Sequence, residues 1–161
     1  MIFITTGTQA PFDRLIKALD EIAPQLGGQE IIAQVAGSDY KPQHIKTYDF
    51  MAPADFSKYF KNADFVIAHA GMGTIISALV DEKPLIIIPR LTKYKEHRSD
   101  HQLATANKIK ELNYVHVVLN EEELKNKVLE MCNGNTNRLL HKLGNYASES
   151  LILSLKEDIG L

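Results

Sequence analysis

One cysteine, Cys132, stands alone among 161 residues. That excludes a disulfide framework and a thiolate metal cluster, and it fits a reducing, cytoplasmic compartment. Positive charge is not in surplus either: 18 Lys and Arg face 20 Asp and Glu, giving a net charge of −2. General nucleic-acid binding needs a basic excess to neutralise phosphates, so no nucleic-acid partner is expected. No apolar run approaches the roughly 18 residues that a membrane span requires. The opening apolar stretch, Met1 to Thr6, is too short for a secretory leader and has neither a basic start nor a cleavage site. No repeat, low-complexity tract or linker divides the chain. The balance is 45% apolar and 24% charged, ordinary for a soluble globular protein. The length suits one domain over residues 1–161 that buries its own core.

The apolar pattern alternates between two periods. "MIFITT", "EIIAQVAG", "HIKTYDFM", "DFVIAH", "PLIIIP" and "YVHVVL" read as six strands. Between them lie helical spacings: Phe12, Leu15, Ile16, Leu19 and Ile22, closed by Pro24 and Gly27-Gly28; Ala54 to Asn62, started near Pro53; Met72 to Asp81; His97 to Leu112; and Glu121 to Cys132. Residues 135–156 step helically through Leu139, Leu140, Leu143, Tyr146, Ala147, Ser150 and Leu151. Strands apolar throughout are covered on both faces, as in parallel sheets. Strand–helix alternation of this kind predicts an α/β fold, a Rossmann-like doubly wound parallel sheet. Such folds bind ligands at the carboxyl ends of their strands, near a switch in strand order. The loops to search are "GTQAP", "AGSDYKPQ", "DFMAPAD", "HAGMGT" and "PRLTKYKEHRSDHQ".

"HAGMGT", His69 to Thr74, ends a buried strand and opens a helix. Glycine lets a ligand approach the main chain, and a helix start offers free N–H groups with a partial positive charge. Together they suit an anion, most often a phosphate. Thr74 adds a hydroxyl, and His69 a hydrogen bond or a charge. The competing reading is a tight turn capped by Thr74, with His69 satisfied in the core. No Lys follows the second Gly, so this is not a Walker loop, and the G-x-G-x-x-G spacing is absent here and after the first strand.

"PRLTKYKEHRSDHQ" carries Arg90, Lys93, Lys95, His97, Arg98, Asp100, His101 and Gln102 at a strand's carboxyl end. Such polar density fits a ligand's hydroxyl groups; a solvated, capped helix start is the alternative. His97 and His101 are four apart, which raises a metal pair. Arg98 in place of Glu fails the zinc-protease motif, and the nearby cations repel a metal ion, so no metal site is expected.

"FITTGTQAPFDRLIKALDE", "HAGMGT" and "IIIPRLTKYKEHRSDHQ" together resemble the glycosyltransferase family 28 C-terminal domain. They are most similar to its free-standing members: the donor-binding subunit of the eukaryotic two-subunit UDP-GlcNAc transferase, which extends a dolichol-linked oligosaccharide, and small bacterial exopolysaccharide subunits. The resemblance implies a GT-B enzyme in which this domain holds a UDP-sugar as donor substrate, with no cofactor and no metal. It implies that Gly71, Met72, Gly73 and Thr74 face the diphosphate with His69 beside them. Phe50 and Met51 match the segment whose main chain contacts uracil. Gly7, Thr8 and Arg14 match the first loop near the phosphates. His97, Asp100 and Gln102 match the stretch reaching the sugar hydroxyls and ribose, and Arg90 is a further donor-binding candidate. The family pattern often has Glu three residues after the Thr; here Ser77 stands there, which can hydrogen-bond ribose but cannot make a charge-assisted bidentate contact.

One Rossmann-like domain is half a GT-B cleft, and in the family the acceptor site and general base lie on the other half. The resemblance therefore implies a membrane-anchored, acceptor-binding partner subunit that holds this chain peripherally at the inner membrane face. Residues 135–156 are a candidate for docking it, against the alternative of packing on their own sheet. A stand-alone nucleotide-sugar-binding or regulatory protein without transfer activity is the rival function. A small phosphatase or epimerase is a third, with no nucleophile beside a base to support it.

Overall fold

The computed structural model describes residues 1–134. Six parallel strands form one sheet in the order β3-β2-β1-β4-β5-β6. They are β1 (Ile2–Thr5), β2 (Ile31–Gln34), β3 (Lys46–Tyr48), β4 (Phe65–His69), β5 (Leu85–Ile88) and β6 (His116–Val117). Helices α1 (Asp13–Ile22), α2 (Pro53–Asn62), α3 (Met72–Val80), α4 (His101–Leu112) and α5 (Glu121–Cys132) connect or follow them. The chain winds outward from β1 to β3, then returns to β1's other side as β4. The loops leaving β1 and β4 therefore flank the switch in strand order, where doubly wound sheets bind ligands.

The apolar strands feed two cores, one on each face. Ile2 and Ile4 of β1, Phe65 and Ile67 of β4, and Ile86 and Ile88 of β5 pack on one side with Leu15, Ile16 and Leu19 of α1 and Leu124 and Val128 of α5. The residues between them, Phe3, Val66, Ala68, Leu85 and Ile87, pack on the other with α2, α3 and α4. Period-two alternation with both faces apolar is why these strands read as unbroken hydrophobic runs. Each fully buried Ile or Leu contributes about 1.5–3 kcal/mol. On the second face Phe3 meets Phe56 edge-on, with ring centres 5.2 Å apart, and stacks on Tyr59, which fixes the aromatic side of α2.

Local signals set the boundaries. Pro53 occupies the first turn of α2, where its missing N–H costs nothing. Asn120 caps α5 by accepting from the Glu123 N–H at 2.9 Å, while the Glu123 carboxylate accepts from the Leu119 N–H at 2.9 Å. The sixth strand covers two residues of the six in "YVHVVL", although the Val118 N–H still donates to the Ile87 carbonyl at 3.0 Å. The helix expected from His97 begins instead at His101. Ahead of it, Thr92–Tyr94 form a 3-10 turn, Lys95 is left-handed with φ 58°, and the Asp100 carboxylate accepts from the Thr92 N–H at 2.9 Å and hydroxyl at 3.0 Å. This closed loop keeps His97 off the helix. The helical pattern at 135–156, and its role in docking, lie outside the described residues. Among the described residues no helix is long and apolar enough to cross a membrane.

Candidate functional site

At the switch point a cleft of about 270 Å³ opens above β1 and β4. The β1 loop contributes Thr6, Gly7, Thr8 and Gln9; the β4 turn contributes His69, Gly71, Gly73 and Thr74; the β5 loop and α4 contribute Arg90, His97, His101 and Gln102.

His69 stands between two glycines. A Cβ on Gly7 would lie 2.8 Å from the ring's Cε1, and one on Gly71 would collide with Nε2 and lie 2.9 Å from Cε1. Gly7 also has φ +82°, a left-handed conformation that suits glycine. Both residues are thus small because a largely buried imidazole packs against their backbones. Gly73 has no such reason: a Cβ there meets nothing within 4 Å. Its open side belongs to the cleft.

Gly73 is the second residue of α3. The helix carries no side-chain cap, and its first internal bond is from Ile75 N–H to the Gly71 carbonyl. The N–H groups of Met72, Gly73 and Thr74 therefore lack helical acceptors and sit at the positive end of the dipole.

Arg90 is 3% exposed. Its Nη2 donates to the carbonyls of Thr6 at 2.7 Å and Ala10 at 2.5 Å, and its Nε has no partner. Burial lowers its pKa, and Glu96 only partly offsets this. A buried cation hydrogen-bonded to carbonyls alone leaves positive potential in the cleft wall. Burial, and then the charge of Arg90, push His69 down to about 4. A weaker pull from the Thr5 backbone opposes this, and nothing within hydrogen-bond geometry reaches Nδ1. His69 is therefore neutral near pH 7 and supplies an imidazole, not a charge. Gln102, also buried, accepts from the Arg90 N–H at 3.1 Å. The rings of His97 and His101 meet edge-on, 4.3 Å between centres. Their Nδ1 atoms engage Ser99: His97 accepts its N–H at 3.3 Å, and His101 bonds its hydroxyl at 2.9 Å. Among the described residues no group of three or more His, Cys, Asp or Glu is placed to hold a metal ion.

The chemistry on offer is anion binding: an uncapped helix start, an open glycine and a buried arginine converge on one polar cleft. Comparison with known proteins agrees in kind. The model of the Glycosyltransferase family 28 C-terminal domain matches residues 1–151. The chain belongs to this family.

Two curated relatives and one solved structure bracket this glycosyltransferase domain. The UDP-N-acetylglucosamine transferase subunit ALG13 of Candida albicans is 30% identical over 115 residues, 71% of this chain and 38% of that protein. The UDP-N-acetylglucosamine–N-acetylmuramyl-(pentapeptide) pyrophosphoryl-undecaprenol N-acetylglucosamine transferase of Clostridium botulinum is 37% identical over 95 residues, 56% of this chain and 25% of that protein. The matches thus span well under half of those relatives. An NMR solution structure of ALG13 superposes with a TM-score of 0.57 at 19% identity, covering 96% of this chain and 93% of that one; at that identity it shows the fold alone.

Of the residues expected at the site, Gly7, Thr8, His69, Gly71, Gly73, Thr74, Arg90, His97 and Gln102 line the cleft. Six others do not. Arg14 is held by other side chains: its Nε and Nη2 grip both Glu96 oxygens at 2.7 and 2.9 Å, Nη1 reaches Glu121 at 3.2 Å, and Nη2 also donates to the Pro89 carbonyl. Most of its donors are thus engaged within the protein. Asp100 is committed to Thr92. Phe50 is 61% exposed, Met72 is 49% exposed, and the Met51 N–H donates to Gln34 Oε1. Ser77 is exposed on α3, beyond the cleft lining.

The loop "AGSDYKPQ" is tied to α1 and does not line the cleft: buried Asp20 accepts from the N–H groups of Gln43 and His44 and from the Tyr40 hydroxyl. Burial opposes its charge, but these bonds outweigh burial and hold its pKa below the usual carboxylate value. Thr6, Gln9 and His101 also line the cleft, although the resemblance assigned them no contact. For Thr6 and Gln9 the available signal was their adjacency to Gly7 at a strand end. For His101 it was the first-turn position of a helix facing the switch point.

Proposed function

We propose that this chain is the UDP-sugar-binding subunit of a two-component, inverting, metal-independent glycosyltransferase that builds a lipid-linked or cell-surface polysaccharide. The observation that carries the reading is Gly73: an unpacked glycine at the uncapped start of α3, opening onto a cleft whose wall holds buried Arg90. In this reading the diphosphate accepts hydrogen bonds from the α3 N–H groups. The sugar extends toward His97 and Gln102, and the nucleoside toward Phe50 and Met51. As the glycosidic bond to the β-phosphate oxygen breaks, negative charge grows on the departing UDP. The helix dipole and Arg90 are already oriented to stabilise it.

Inversion also needs a general base to take the acceptor hydroxyl's proton. In this reading no residue of the cleft takes that role. The base and the acceptor site then lie on a membrane-anchored partner, which a relative named as a transferase subunit supports. That partner would keep this chain at the inner face of the membrane.

The test is sugar transfer from UDP-sugars, measured for the purified chain alone and with its co-expressed partner, beside calorimetric titration of UDP. Binding alone with transfer only in the pair is expected. Full transfer by the isolated chain would refute the division of labour.

A further inference from the structure

Gln34, the last residue of β2, is a polar side chain in an otherwise apolar strand and is 3% exposed. Its Nε2 donates to the Gly7 carbonyl at 3.3 Å, and its Oε1 accepts the Met51 N–H at 3.0 Å. Its backbone carbonyl accepts the Thr6 N–H at 3.0 Å and the Thr6 hydroxyl at 3.3 Å. One residue thus fastens the loop after β1 to the loop after β3. The first loop continues the chain of contacts, because Gly7 lies against His69, which lies against Gly71 at the start of α3. A leucine would fill this strand position without the cost of burying an amide; the amide is placed where two loops need a fixed separation.

We propose that Gln34 is a positioning residue that sets the span between the nucleoside-binding and diphosphate-binding halves of the donor site. This rests on the donor-site reading given above. A ligand bridging both halves gains from their correct spacing, as any two linked binding events do, whereas a fragment touching one half does not. Gln34 therefore governs recognition of an intact nucleoside diphosphate and leaves its pieces nearly untouched. A residue that merely held the fold together would weaken all of them alike.

The test uses the full chain with Gln34→Met, which keeps length and removes both side-chain bonds, and Gln34→Leu, an apolar residue of similar size, should the first variant not fold. UDP, uridine and inorganic pyrophosphate are titrated separately by NMR and calorimetry. For Gln34→Met, affinity for UDP is expected to fall about tenfold, with uridine and pyrophosphate changing by less than about twofold. Gln34→Leu is expected to show the same split. Parallel weakening of all three ligands, or unchanged UDP affinity in a folded variant, overturns the proposal. Failure of the unmodified chain to bind either UDP or pyrophosphate would overturn the donor-site reading itself, a separate outcome visible before any substitution is made.

Discussion

Gly73→Ala separates a glycine kept for the protein's own packing from one kept for a ligand. The new methyl meets nothing within 4 Å, so no clash opposes folding. Position 73 is helical, where alanine is favoured over glycine by about 0.5–1 kcal/mol. The variant should therefore be as stable as the parent or up to about 1 kcal/mol more so, raising the melting temperature by about 2–4 °C. The same methyl projects into the cleft and blocks approach to the Gly73 N–H. Losing one charge-assisted hydrogen bond of about 1.5–3 kcal/mol weakens UDP binding by roughly 10- to 100-fold. Thermal denaturation and calorimetry on one preparation read both quantities. A variant that melts higher yet binds UDP like the parent would remove the argument that the open glycine marks the phosphate site.

Four further outcomes follow from the same geometry. Gly71→Ala, at an extended backbone that alanine adopts freely, should cost about 1–3 kcal/mol by overpacking against His69; in the Gly71→Ala/His69→Ala pair that penalty should largely vanish, whereas additive losses in a double-mutant cycle would place the clash elsewhere. Because His69 is depressed to about 4 in the folded chain, the unfolded chain takes up its proton first. Its contribution is complete above about pH 6.5 and is lost as pH falls toward 4, by up to about 3 kcal/mol; denaturant titrations of His69→Gln should show a flatter acid limb. Arg90→Met should weaken UDP binding by tenfold or more and make the remaining affinity less sensitive to salt, since a buried cation facing the ligand is gone. Glu96→Gln should lower stability by about 3 kcal/mol, because it leaves the Arg14 guanidinium largely buried and half-partnered; urea unfolding would read it, and an effect within error would mean that the pair is not needed to hold the β5 loop.

The fold was legible because its signals were redundant. Six apolar runs, helical spacings between them and the Pro and Gly stops at Pro24, Gly27-Gly28 and Pro53 all favoured one topology. Hydrophobic burial on two sheet faces enforces that topology. The floor of the site was legible for a related reason: Gly7, Gly71 and Gly73 stand out at strand ends. Their different purposes were not, since only the three-dimensional placement of His69 shows that two of them clear room for a ring. Arg14 illustrates the main limit. A cation beside a candidate phosphate loop looks like a ligand contact until Glu96 and Glu121, 82 and 107 residues away in sequence, are seen to hold it. Gln34 was missed because a polar residue at a strand end carries no period, and its partners at Gly7 and Met51 come from separate loops. The late start of α4 reflects closure of the Thr92–Asp100 loop, a local competition that periodicity does not register.

Among the described residues, the sheet's rims limit one way in which another chain could join it. One outer strand, β3, is three residues long with Lys46 exposed, and the other, β6, is two residues long. Such margins offer too little ladder for a neighbour to join by strand addition, and a lysine there discourages it further. A companion meeting these described margins would grip through side chains and loops, and its hold would track surface substitutions residue by residue.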